Sequence, residues 1–224
     1  AAMYDDPTQF APQPARDGAH RALDHCRGCV YEQGTNRLLW RAFDKFWEIE
    51  DRRATDIHLE DADLVCVEKA DGLLTKVYYV DGKWRCASNG CIDAFQAVFR
   101  WGDDEASSEG AASSISVGDL FYEAATVMCG GFDKLCDELR TDRCYAFELA
   151  HPRARVVVPH DGRPRLVHIG TWALPSGGEI FDEELRAVPG PRRLPPVTSS
   201  PGATTPLRLL YFVRGLPAYC EGMT

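Results

Sequence analysis

The chain has 224 residues, 45% hydrophobic and 26% charged, enough for one substantial core and too apolar for a disordered polymer. Its net charge of −9 excludes a pure nucleic-acid coat, because any polyanion must be held by a local basic surface against the overall field. No apolar run approaches the ~20 residues of a membrane span and the first thirty residues lack a signal-peptide core, so a soluble protein with no membrane partner is expected. Nine cysteines, an odd number scattered among apolar positions such as Cys66, Cys129 and Cys144, favour reduced thiols and an intracellular compartment, cytoplasmic or organellar.

Residues 1–20 are rich in Pro, Asp, Gln and Ala without periodicity and read as a poorly ordered lead-in, leaving 21–224 as one domain. Short mixed-apolar runs at 26–31 and 37–42 flank the turn residues Glu32 to Asn36, which predicts a hairpin with Arg27 projecting from its first strand. Phe43, Phe46 and Trp47 then read as core aromatics around a solvated Lys45. Cys26 and Cys29 have the spacing of half a zinc site, but Cys86 and Cys91 are too loosely spaced to complete it, and packed thiols are the expectation.

After the apolar run Leu64 to Val67 comes Lys69-Ala70-Asp71-Gly72, which puts a lysine at a strand end. An unperturbed lysine has a pKa near ~10.4, so about one molecule in a thousand is a free nucleophile at neutral pH unless burial or neighbouring cations depress that value. Asp71 supplies a carboxylate that orders the loop or orients the lysine, and Gly72 allows close backbone approach or positive φ. These residue types suit covalent attack on phosphorus, although K-x-D-G alone also suits a surface turn.

Leu73 to Val80, the turn Asp81-Gly82 and Lys83 to Ser88 predict a hairpin in which Lys76, unlike Lys69, is expected to be dispensable for covalent chemistry. The acidic, then Ser/Ala/Gly-rich stretch 98–114 reads as a surface loop. Ser116 and Asp119 form an S-x-x-D cap for an amphipathic helix through Met128 that ends at Gly130-Gly131, and a short helix follows over 132–139. Strands are expected at 145–149, with Phe147 and Glu148 on opposite faces, at 155–158 and at 166–172. The Pro/Ser/Thr-rich 189–206 reads as a connector, and 206–214 as a helix capped by Thr205 that leads to Glu221-Gly222. Strands with two helical insertions, no βαβ alternation and no internal repeat give an α+β class with antiparallel or mixed sheets.

The order of these pieces resembles the covalent nucleotidyltransferases, an ATP-grasp-like ligase fold, and most closely the ATP-dependent RNA ligases of the bacteriophage tRNA-repair type. Cys26-Arg27-Gly28 is similar to the family's R-G stretch, Phe43 to Trp47 to its K-F-F segment, and Lys69 to Gly72 to its nucleotidyl-lysine motif. Tyr145 to Leu149 with Pro152 resembles F-E-x-x-x-P, residues 166–170 with Gly177-Gly178-Glu179 resemble I-G…T-G-E, and Glu221-Gly222 resembles E-G. The resemblance implies that Lys69 attacks ATP, with Asp71 and Glu221 as catalytic partners and Glu221 on the Mg²⁺. It further implies that Arg27 and Lys45 hold the triphosphate, and that Glu68, Gly72, Phe147 and Glu148 complete the nucleotide site, Glu148 on the ribose. RNA with a 5′-phosphate and a 3′-hydroxyl would be the partner, with protein partners if the chain serves in a larger assembly.

Three departures stand out. Asn89 and Trp172 occupy positions that are commonly basic, and the K-x-K motif expected after E-G would lie beyond Thr224, as if the chain were an excerpt. Slow adenylylation by the 224 residues alone is the consequence expected. Two alternatives remain beside the ligase: an mRNA-capping guanylyltransferase using GTP, and a decayed homologue acting as a structural or RNA-binding subunit.

Overall fold

A computed structural model describes residues 26, 28–41, 43, 45, 67–100, 114–157, 162–181, 183–191 and 220–223. At its centre β4 (Leu73–Val80) turns through Asp81 and Gly82, both at positive φ, into β5 (Lys83–Ser88). That is the backbone a two-residue primed turn requires, and it explains why Asp-Gly marks the hairpin. β8 (Arg143–Ala150) pairs with the other edge of β4, and β9 (Arg165–Ala173) with β8, giving an antiparallel sheet of order β5-β4-β8-β9. Three antiparallel pairs accompany it: β1 (Val30–Tyr31) with β2 (Leu38–Trp40), β3 (Glu68–Ala70) with β10 (Cys220–Met223), and β6 (Val98–Arg100) with β7 (Ser114–Ser116). The architecture is α+β, as expected, with every described strand pair antiparallel.

Helix α1 (Val117–Cys129) starts where Ser116 accepts the N–H of Asp119 at 2.9 Å and stops at Gly130, whose φ of 82° is the left-handed stop that glycine permits. Its buried stripe of Leu120, Phe121, Ala124 and Ala125 closes one face of the sheet over Val77, Tyr145, Phe147, Leu149 and Leu166. A second cluster of Val30, Leu39, Trp40, Tyr78, Ala87, Cys144, Ala146 and Trp172 lies on the opposite face. Strand alternation generates both clusters, because Val77 and Tyr78, or Phe147 and Glu148, point to opposite sides.

Several expectations are corrected. The stretch 155–158 is no strand over its described part: Val156 and Val157 are exposed in irregular backbone, because the Val157 N–H is taken by a side chain and not by a ladder. The loop expected at 98–114 has paired ends, β6 with β7, and α2 (Phe132–Cys136) is shorter than 132–139. The lead-in 1–20, most of the connector and the helix expected at 206–214 lie outside the described residues. Among those described, no helix is long and apolar enough to cross a membrane.

Candidate active site

The K-A-D-G segment sits beside the E-G segment although about 150 residues separate them: Gly222 is paired with Lys69 and Met223 with Glu68, and the register shift falls at Glu221. Lys69 is half-buried on β3, and Glu68 is buried beside it. Asp71, 2% exposed, accepts the N–H of Val157 at 2.9 Å. One of the two roles considered for this carboxylate is visible in that bond, which holds the chain after Pro152 against the lysine motif. Gly72 is required for close approach and not for a positive φ: a Cβ there would lie 2.4 Å from the backbone oxygen of Leu149. The approach is to strand β8, so the glycine lets β4 enter the sheet directly behind the lysine.

A second set of residues lies on the face of the sheet that α1 leaves alone. Leu74 is paired with Glu148 and Lys76 with Ala146, so Glu148, half-buried, shares this face with Lys76. Phe147 is fully buried on the other side, its ring 5.8 Å from that of Phe121, which removes it from the residues around Lys76. At the far edge Trp172 meets Phe43 at 4.8 Å and Trp40 at 5.9 Å. Gly170 makes room for them, since a Cβ would fall 2.6 Å from the Trp172 ring and 2.9 Å from that of Phe43. Lys45, half-buried, follows two residues after Phe43. Arg27 lies outside the described residues, as does the side chain of Glu221.

Lys76 is what the sequence reading passed over. Only 3% exposed, it is the one buried lysine or arginine among the described residues. Its Nζ donates to the backbone oxygens of Gly28, 3.0 Å, and Asn89, 3.1 Å, and stands 4.6 Å above the Trp40 ring. Burial pushes its pKa down to about 8, opposed by the Cys29 thiol nearby. The signal was present: Leu74, Lys76, Tyr78 and Val80 recur at a spacing of two, so a lysine was written into an otherwise apolar inward row.

The β3–β10 pairing brings together two of the segments expected to handle a nucleotide. A family model described as RNA ligase matches residues 25–173, well over half of the sequence. The chain belongs to the RNA ligase family. It is 25% identical, over 187 residues and 76% of its length, to a protein of Autographa californica nuclear polyhedrosis virus named as a bifunctional polynucleotide kinase/RNA ligase. It is 33% identical, over 121 residues and 52% of its length, to an RNA ligase of Rhodothermus phage RM378. The matched part spans 24% of each of these relatives.

Within this ligase-family domain the matched span contains the lysine motif, the R-G stretch and Glu148, and ends at β9, before Gly177-Gly178-Glu179 and the E-G strand. Glu179 is nevertheless bridged to Trp172, so the G-G-E turn closes back on β9. Among the described residues no three His, Cys, Asp or Glu groups converge as a metal cage, the zinc-spaced cysteines included. Mg²⁺ needs no such cage, because it takes one or two carboxylates and fills its shell from phosphate and water. Glu221, on the strand paired with that of Lys69, is the carboxylate-bearing position that fits that pattern, whereas Glu68 alternates to the other side of β3. Cys86 and Cys144 are buried thiols, the second pushed up to about 12 by desolvation.

Proposed function

We propose that this domain is the adenylyltransferase part of an ATP-dependent RNA ligase. The observation that carries the reading is the pairing of the Lys69 strand with the Glu221-Gly222 strand, which brings two separated motifs of a covalent nucleotidyltransferase together. In the reaction the Nζ lone pair of Lys69 forms a bond to the α-phosphorus of ATP, the bond from that phosphorus to pyrophosphate breaks, and the amine releases a proton to solvent. AMP then passes to an RNA 5′-phosphate, and a 3′-hydroxyl displaces it as the phosphodiester forms. Developing negative charge in such a transfer calls for preorganised cations and donors. Arg27 and Lys45 are assigned to the triphosphate and Glu148 to the ribose, while Glu68, one residue before Lys69 on the same strand, faces away from the nucleotide that Lys69 attacks. Glu221 would hold Mg²⁺, which when bound would supply Lewis-acid stabilisation of the phosphates.

Substrate ends and protein partners belong to the same proposal: RNA bearing a 5′-phosphate and a 3′-hydroxyl, in a reducing compartment. A second reading, a non-catalytic RNA-binding subunit, draws on the neutral Asn89 and on Trp172, whose ring is sealed among Trp40 and Phe43. Long incubation with radiolabelled ATP or GTP, followed by a denaturing gel and then by addition of 5′-phosphorylated RNA, separates the readings. The ligase gives a covalent label from ATP that moves to the RNA. Label from GTP points to capping chemistry, and no label with either nucleotide points to the non-catalytic subunit.

A further inference from the structure

We infer that Lys76 supplies, from beneath the Ser88–Cys91 turn, the positive charge for nucleotide phosphate that position 89 lacks, so that Asn89 and the Gly90 N–H bind the anion with the cation behind them. The inference rests on the nucleotidyltransferase reading and adds a residue to its site. Ser88 and Cys91 close the turn on each other, the Ser88 N–H bonding to the Cys91 oxygen at 2.9 Å and the Cys91 N–H to the Ser88 Oγ at 3.0 Å. Asn89 and Gly90 are exposed at its tip, and the Asn89 carbonyl is turned inward onto the Lys76 Nζ. A planar trans peptide holds C=O and N–H antiparallel, so the Gly90 N–H points the opposite way, outward. The same ammonium grips the Gly28 oxygen, next to Arg27 in the R-G stretch, and therefore ties two phosphate-handling segments to one charge. A positive charge set a few ångströms behind neutral donors still strengthens them, since it lies in protein and not in water.

The structural role and the charge role of Lys76 are separable. A neutral amine keeps two N–H donors for the two carbonyls, whereas only the ammonium attracts phosphate. The groups facing it are Cys29 on the R-G side, Tyr78 on its own strand, Arg85 on β5, and Cys144 and Glu148 on β8. Tyr78 and Cys144 are both pushed up to about 12 by burial and stay neutral as Lys76 titrates near 8. Raising pH through about 8 thus removes the charge while leaving the hydrogen bonds in place. It also removes a desolvation penalty, so stability from this group grows with pH between its folded and unfolded values while phosphate binding declines.

The test uses α,β-methylene ATP, which binds without reacting, titrated calorimetrically into the 224-residue chain, with thermal melting in parallel. Lys76→Met should weaken binding by at least about tenfold, and adding Asn89→Lys in that background should recover most of the loss. In the wild type, affinity should fall across pH 7 to 9 without a drop in melting temperature, and Asn89→Lys should blunt that fall. Should Lys76→Met fail to fold, the pH comparison of wild type with Asn89→Lys decides alone. Unchanged affinity in Lys76→Met, a loss that Asn89→Lys does not rescue, or the same pH profile in both proteins overturns the inference and leaves the ligase reading standing. A wild-type chain that does not bind the analogue overturns both.

Discussion

On one face of the central sheet Val77, Tyr145, Phe147 and Leu149 are sealed under α1, whereas on the other Lys76 and Glu148 interrupt a layer of Trp40, Ala146 and Trp172. The four strands are shared, and a single residue step along β4 or β8 moves from one environment to the other. The helix-covered face contains apolar side chains plus a few hydrogen-bonded polar ones, such as Thr75 donating to the Phe147 oxygen and His168 with Thr171, and it specifies the fold. The other face holds a buried ammonium, hydrogen-bonded to the Gly28 and Asn89 oxygens, and a half-buried carboxylate. Burying a charge costs stability unless it is hydrogen-bonded, as Lys76 is, and a buried lysine facing a half-buried carboxylate is the basis for proposing this face as the functional one.

Truncating the helix-side face should produce the largest effect. Phe147→Ala opens a cavity between Phe121 and His168 and should cost about 3–5 kcal/mol in denaturant unfolding, with nucleotide affinity of the folded fraction unchanged. Affinity lost without stability would break the division between faces and return Phe147 to the nucleotide site. One residue along, Glu148→Gln should do the reverse: ATP affinity by calorimetry should fall by about 1.5–3 kcal/mol through loss of a charge-assisted hydrogen bond, with little change in melting temperature. Parallel losses of affinity and stability would make Glu148 a structural residue.

A graded effect, small near neutral pH, is a pH dependence confined to the helix-side face. His168 is buried, its Nε2 lies 2.8 Å from Thr171 Oγ1, and burial pushes its pKa down to about 4. Between about 6.5 and 4 the unfolded chain takes up a proton at this residue that the folded chain refuses, so stability is fully present above 6.5 and is lost as pH falls toward 4, at up to about 1.4 kcal/mol per pH unit. His168→Gln should flatten that limb in unfolding measurements between pH 4 and 7. An unaltered limb would assign the acid sensitivity to other groups.

Local signals made much of this legible in the sequence. The Asp81-Gly82 turn, the Ser116 cap and the Gly130 stop each depend on a few adjacent residues, and each stands where the sequence put it. The opposition of Phe147 and Glu148 followed from strand alternation alone. Long-range contacts stayed hidden. Nothing near Val157 announces that its N–H belongs to Asp71, 86 residues away, so its valine-rich stretch looked like a strand. Gly72 read as a ligand-approach residue because the strand it accommodates, β8, is distant in sequence. Lys76 was missed because a lone lysine within a strand is usually solvated, and its carbonyl partners come from two other segments.

Two lysines seven residues apart are proposed for different roles: Lys69, on the strand beside Glu221-Gly222, as nucleophile, and Lys76, beneath the Ser88–Cys91 turn, as fixed charge. Prolonged incubation with ATP and Mg²⁺, acid quench, digestion and tandem mass spectrometry of the peptide carrying both would locate the adduct. The account predicts AMP on Lys69, absent from Lys69→Ala; AMP on Lys76, or label persisting in Lys69→Ala, would contradict it.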